Sequence, residues 1–256
     1  MNQEKLKPIQ RLYPVFVVGI MVGIWWILSA RKFFDPNSFP PPNEVIAGFS
    51  EEIHRSMFDN IIASLYRVIV GFGLAALLGT PLGLCMGLFY GVRVALLPIV
   101  NFFRSLSPLA WIPFAILWFG IGDSPAIFLI FMAAFFPIAL ATCAAVANVP
   151  QIYFRVARDY GLSGFRLLTQ VTLPAIMPQV ITSLRVTAGL SWLVVVAAEM
   201  IAGKDGLGFA IWDARNGLRP DLLAVGMIVI GILGVILDRL LVLLTKFPSV
   251  RWGYER

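Results

Sequence analysis

Apolar and polar positions divide this chain into long greasy runs separated by short charged breaks. A helix needs about 20 apolar residues to cross a hydrocarbon core. Six runs meet that length: Leu12–Ala30, Asn60–Phe89, Val94–Phe119, Pro125–Ala147, Ala175–Ile201 and Leu222–Thr245. Backbone groups in lipid must be satisfied within their own segment, so each run is predicted to be helical. No run shows the alternating polarity of a β-barrel strand. The pattern predicts an all-α integral membrane protein of about six transmembrane helices. Residues 1–59 form a head, the first helix and a loop; residues 60–245 form the core, with a polar loop at 148–174; residues 246–256 form a tail.

The stretch from Arg155 to Arg185 is the most informative break. It follows 31 uncharged residues, Ser124 to Phe154. Arg155, Arg158, Asp159 and Arg166 alternate there with apolar Tyr160, Leu162, Phe165 and Leu168, which predicts a short amphipathic helix from about Ala157 to Leu168. Such a helix either docks on something outside the bilayer or lies on anionic headgroups.

Two spans carry internal patterns. In the second, Gly71, Ala75, Gly79, Gly83, Gly87 and Gly91 recur every four residues, a stripe of small side chains that lets another helix approach closely. In the third, Pro108 and Pro113 each remove an intrahelical hydrogen bond. Irregular backbone at membrane depth is tolerated where it is buried or lines a watery cavity, so this segment is a pathway wall or a structural kink.

Composition agrees with the pattern: 59% of residues are hydrophobic and 13% charged, far from a soluble domain. The net charge of +6 reflects topology and implies no nucleic-acid partner. With the amino terminus inside, the cytoplasmic segments hold 10 basic residues and the outer segments 6, against 9 acidic ones outside. That bias puts both termini and the Arg155–Arg166 loop in the cytoplasm. Cys85 and Cys143 lie within spans, and His54 is the sole histidine, so neither a disulfide framework nor a metal site is predicted. The only Gly-Lys pair is Gly203-Lys204, followed by Asp205, so no G-x-x-x-x-G-K-[ST] phosphate loop exists and ATP must be handled elsewhere.

From Arg155 to Pro174 the residues resemble the cytoplasmic "EAA" loop of ABC importer permeases of the type I fold. That motif is E-A-A, three residues, Gly, nine residues, then I-x-L-P. The corresponding positions are Arg155, Val156 and Ala157, then Gly161, then Val171, Leu173 and Pro174. The spacing matches in full, while Arg155 replaces the glutamate and Val156 the first alanine. SLSPLAWIPFAILWFGIGD, AAFFPI, VAAEMI, GLGFAIWDARN and GMIVIGILGVILDRLL are similar to the nitrate/sulfonate/taurine/bicarbonate branch, as is Pro40-Pro41-Pro42 in an outer loop. The resemblance implies a permease without a cofactor of its own, paired with a second copy and served by a periplasmic binding protein. Two cytoplasmic ATPase subunits would hold ATP and Mg. ATP binding would rock the pair outward-open and hydrolysis would reset it. Arg155 through Leu162 and Phe165 would form the coupling element, Gly161 permitting a sharp turn or close approach and Leu173-Pro174 opening the fifth span. A cation at 155, where the family presents a carboxylate, implies a partner surface that differs from the family's.

The solute is less legible. Arg104 and Arg185 fall within spans, where charge is costly and usually faces a cavity or a partner. Each is a candidate for attracting an anion along a pathway, with Ser107, Trp111, Ser183, Ser191 and Trp192 as candidate lining. The alternatives are snorkelling, or pairing with Glu199 or Asp238. Lys204, Asp205, Asp213, Arg215, Arg219 and Asp221 form a polar outer segment, either a landing place for the binding protein or a solvated loop. Two rival classes are an ion-coupled secondary transporter, which needs acids in the pathway, and a membrane enzyme, which needs clustered catalytic groups.

Overall fold

The computed structural model describes residues 13–31, 33 and 39–244, and within them every regular element is helical. The order is α1 (Tyr13–Ala30), α2 (Pro42–Arg55), α3 (Met57–Leu88), α4 (Tyr90–Ser105), a 3-10 turn (Pro108–Trp111) and α5 (Ile112–Phe119). Then come α6 (Asp123–Ala147), α7 (Gln151–Asp159), α8 (Gly164–Leu167), a π turn (Leu168–Thr172), α9 (Leu173–Ala202), α10 (Leu207–Asn216) and α11 (Pro220–Leu244). Four segments are long and apolar enough to cross a membrane: α3, α6, the continuous run Gly164–Ala202, and α11. The bent pair α4–α5 makes a fifth if counted as one span, and α1 is apolar but shorter. Leu12 and Thr245, the outer limits of the first and last predicted spans, lie outside the described residues. So do Lys5, Lys7, Arg11, Lys246, Arg251 and Arg256, which supply most of the inside charge count.

The third predicted span is not a straight helix. Its two halves meet at 85°. Leu106 (ψ 132°) and Ser107 (ψ 128°) are extended, the conformation that Pro108 favours in the Ser107 before it, and Pro113 then opens α5 from its first turn. Short α2, absent from the predicted spans, lies against α11. Its apolar side places Val45, Phe49 and Ile53 in one cluster with Val225 and Val229 of α11, while Glu44, Glu51 and Arg55 point out.

The bundle centres on the α3–α6 contact. Gly71, Ala75, Gly79 and Gly83 are buried there. A methyl group on Gly71 would sit 2.8 Å from the Ile127 carbonyl, on Gly79 2.9 Å from the Phe135 carbonyl, and on Gly87 2.6 Å from Val146 Cβ. Carbonyl oxygens and a β-carbon cannot rotate away, so the small residues set the helix separation. The stripe ends at Gly87, because Gly91 has open space around it. α9 covers the other side of α6, and Trp192 of α9 packs beside Gly234 of α11 while donating its ring N–H to the Ile230 carbonyl at 3.2 Å.

Candidate functional site

The chain runs back and forth, so its bundle has two ends: an acidic end, with Asp59, Asp123 and Glu199, and a crossover end, where α7 and α8 join α6 to α9. At the crossover end the helix lies earlier than the sequence suggests. It runs Gln151–Asp159, opened by Pro150 at its N-cap, and Ala157 to Leu168 is not one helix. Tyr160 and Gly161 close it. Gly161 donates to the Arg158 carbonyl at 2.8 Å and Leu162 to the Ala157 carbonyl at 2.9 Å, with Gly161 at φ +71°. This paired closure requires a left-handed residue, which glycine supplies without strain. Nothing lies within 4 Å of a methyl group built on Gly161, so the glycine serves the turn and not a close approach.

Beyond that turn, α8 and the π turn run into α9, which starts at Leu173 with Pro174 in its first turn. One face of the crossover is anchored: Ala157 is buried, and Phe154 and Leu173 pack on Ala145, Val146, Val149, Ile176 and Val180. The other face is bare. Tyr160 is 82% and Phe165 77% exposed, and Ile152 and Val156 are also exposed. A groove of about 610 Å³ opens between α7 and the start of α9, lined by Ile152, Val156, Tyr160, Leu162, Val171 and Pro174 among others. Arg155, Arg158 and Arg166 are exposed, and none of their guanidinium groups has a hydrogen-bond or ion-pair partner among the described residues.

The acidic end holds a constellation that sequence reasoning missed. Arg67 on α3, 1% exposed, donates its Nε–H to Asp123 Oδ1 at 2.7 Å and one terminal N–H to Glu199 Oε1 at 2.7 Å. Further hydrogen bonds go to the Asp205 carbonyl at 2.9 Å and to the Asp205 carboxylate. Glu199, fully buried, accepts on Oε2 from Ser64 Oγ at 2.8 Å and from the Gly208 N–H at 2.9 Å. Asn60 and Ser64 accept from the Gly206 and Leu207 N–H groups, both at 2.9 Å. α3, α6, α9 and the 203–208 turn are thereby tied into one clasp. Glycine is required in that turn, since side chains on Gly206 or Gly208 would strike Glu199. A charge inside an apolar run is the signal that singles out Arg67. Outside the spans, Arg219 bridges Glu51 on α2 (2.7 Å) and Asp221 at the start of α11 (2.8 Å). The hydrogen bond from Arg219 holds the Glu51 carboxyl below its ordinary value, and Asp221 and Glu51 push the guanidinium up.

The pathway candidates divide into two groups. Arg104 and Ser107 are exposed at the α4–α5 break, and Trp111 sits beside them in an aromatic cluster with Phe103, Phe114, Trp118 and Phe128. Arg185, Ser183 and Trp192 lie elsewhere, on α9. Arg185 holds Asp238 of α11 through two hydrogen bonds of 2.6 and 2.8 Å, and Trp192 is buried against α11. Ser191 is buried and bonds to the Thr187 carbonyl. Lys204, Asp205 and Asp213 rim a cavity of about 450 Å³ between α3, α10 and α11, whose floor includes Met57, Leu207, Val225 and Val229.

Known proteins share this architecture. A family described as binding-protein-dependent transport system inner membrane component matches residues 79–248. The taurine transport system permease protein TauC of Escherichia coli is 35% identical over 86% of this chain and 82% of its own length. The nitrate import permease protein NrtB of Synechocystis is 35% identical over 94% of this chain and 93% of its own. The bicarbonate transport system permease protein CmpB of Synechococcus elongatus is 40% identical over 76% and 70%. Among solved structures, the MetNI methionine ABC transporter in an inward-facing conformation overlays with a TM-score of 0.65 at 19% identity, over 74% of this chain and 96% of that one. That last likeness is one of fold.

Proposed function

The chain belongs to the binding-protein-dependent transport system inner membrane components, and we propose that as an ABC-importer permease it moves a small anion into a bacterial cytoplasm. The chemistry of the cargo is taken from relatives named for taurine, nitrate and bicarbonate. The crossover end faces the cytoplasm in this reading, and α7 with its closing turn is the element that an ATPase subunit grips. The observation that carries it is an anchored helix with a bare aromatic and apolar far side at the family's loop spacing. ATP and Mg belong to that partner, in keeping with the missing phosphate loop in this chain. Solute arrives from a periplasmic binding protein at the acidic end.

A second copy of the chain completes the pathway. Support comes from the α4–α5 break: extended backbone and an exposed Arg104 side chain at membrane depth are tolerated only beside protein or water. Arg104, Ser107 and Trp111 are therefore proposed to line the pathway, whereas Arg185 is engaged by Asp238. An ion-coupled mechanism lacks supporting acids there, since the buried Glu199 is already held by Arg67 and Ser64. Membrane vesicles test the reading. Uptake is expected to need ATP and the binding protein and to survive uncouplers; uptake that follows a proton or sodium gradient without ATP overturns it. The ligand retained by the purified binding protein identifies the solute.

A further inference from the structure

We infer that the ATPase subunit receiving α7 carries an acidic pocket for Arg155 and Arg158, so that this contact takes its cations from the membrane chain. The inference rests on the docking role of the crossover proposed above. A helix turns about 100° per residue, which puts Arg155 on the side of α7 opposite the buried Ala157. Arg155 therefore points away from the bundle, where its own chain offers little. Between Asp123 and Glu199 the sequence contains one acid, Asp159. Asp159 stands four residues after Arg155 yet forms no ion pair with it. Basic-before-acidic is also the weaker order for such a helical pair.

The remaining acid of the described crossover half, Asp238, is taken by Arg185. All other described carboxylates, from Glu44 to Asp221, sit at the acidic end. Arg155, Arg158 and Arg166 against Asp159 thus leave the crossover with unbalanced positive charge beside the apolar groove of Ile152, Val156, Tyr160 and Leu162. Exposed arginine next to exposed tyrosine and phenylalanine is the composition of a protein-binding hot spot. A planar guanidinium pairs best with a carboxylate in a fixed pocket, which it can grip with two parallel hydrogen bonds. Anionic headgroups offer charge without a shaped receptor for Tyr160 and Phe165, so a protein partner fits the surface better.

The test uses the complete chain in nanodiscs of neutral phosphatidylcholine, titrated with its purified ATPase subunits at low and high ionic strength. Arg155→Glu is expected to weaken association about a hundredfold and Arg155→Gln about tenfold, the wild-type affinity falling as salt rises. Phe165→Ala is expected to weaken it at every ionic strength. If Arg155→Glu binds as Arg155→Gln does and salt has no effect, while Phe165→Ala still weakens binding, docking stands and the acidic pocket is overturned. If the charge effects appear only when anionic lipid is added, the arginines serve the membrane and the inference fails. If none of the three variants changes association, the docking role itself fails.

Discussion

At the acidic end, Arg67 directs its hydrogen bonds to Asp123, Glu199 and Asp205 of its own chain, and Arg219 does the same with Glu51 and Asp221. At the crossover end, Arg155, Arg158 and Arg166 have no such partners among the described residues. At one end the arginines are paired within the chain and locked, and at the other they are left without such partners. A charge buried in an apolar bundle has to be matched where it sits, because an uncompensated one costs several kcal/mol. An exposed cation carries no such demand and stays available to another molecule. In the proposed reading, the contrast separates residues that hold the fold from residues that meet a partner.

The sharpest way to break the contrast is to remove a clasp member. Arg67→Met leaves Glu199 buried without its cation and is expected to cost about 3–5 kcal/mol, read as a large fall in melting temperature of the detergent-purified chain. A melt within a degree of wild type would mean the clasp is not what holds α3 to α9. Next comes the glycine stripe. Gly83→Val meets the Ala139 carbonyl and the Thr142 side chain and is expected to destabilise by about 1–3 kcal/mol, whereas Gly91→Val, with open space around it, is expected to be near neutral. Equal effects at the two positions would dismiss the α3–α6 packing argument.

At the crossover end the signs reverse. Phe165→Ala is expected to change stability by no more than about 0.5 kcal/mol, since the side chain is exposed, while stripping ATPase activity of its dependence on the permease. The smallest effect concerns pH. The Glu51 carboxyl is depressed by Arg219, so its contribution is present above the unfolded value near 4.5 and fades as pH falls through the lower folded value. Glu51→Gln is expected to lower the melting temperature slightly at neutral pH and to leave it unchanged at acid pH, which flattens the acid limb. A melting temperature unchanged at neutral pH, or lowered equally at every pH, would reject that ion pair.

Much of the fold is visible in the order of residues, because span length and four-residue glycine periodicity are local properties. The partner of the stripe is not local. Gly71 through Gly87 announce a groove, yet nothing in their sequence says that α6 fills it. Arg67 is similar: its charge within an apolar run is a plain flag, but Asp123, Glu199 and Asp205 lie 56, 132 and 138 residues further along the chain. Pro108 foretells a break, whereas the 85° bend depends on how α5 then packs on α6. The start of α7 was legible and overlooked. Pro150 is a helix-opening signal, and the apolar Ile152 and Phe154 that follow it belong to the helix as much as the charged residues do.

The most direct test is the number of solute molecules imported per ATP hydrolysed in proteoliposomes holding the complete transporter. It compares the natural chain with one carrying two residues inserted between Gly161 and Leu173. An unchanged melting temperature would confirm that the insert leaves the bundle folded. The account predicts that hydrolysis continues while import collapses, because α7 no longer transmits the ATPase movement to α9. Import at an undiminished ratio would contradict it.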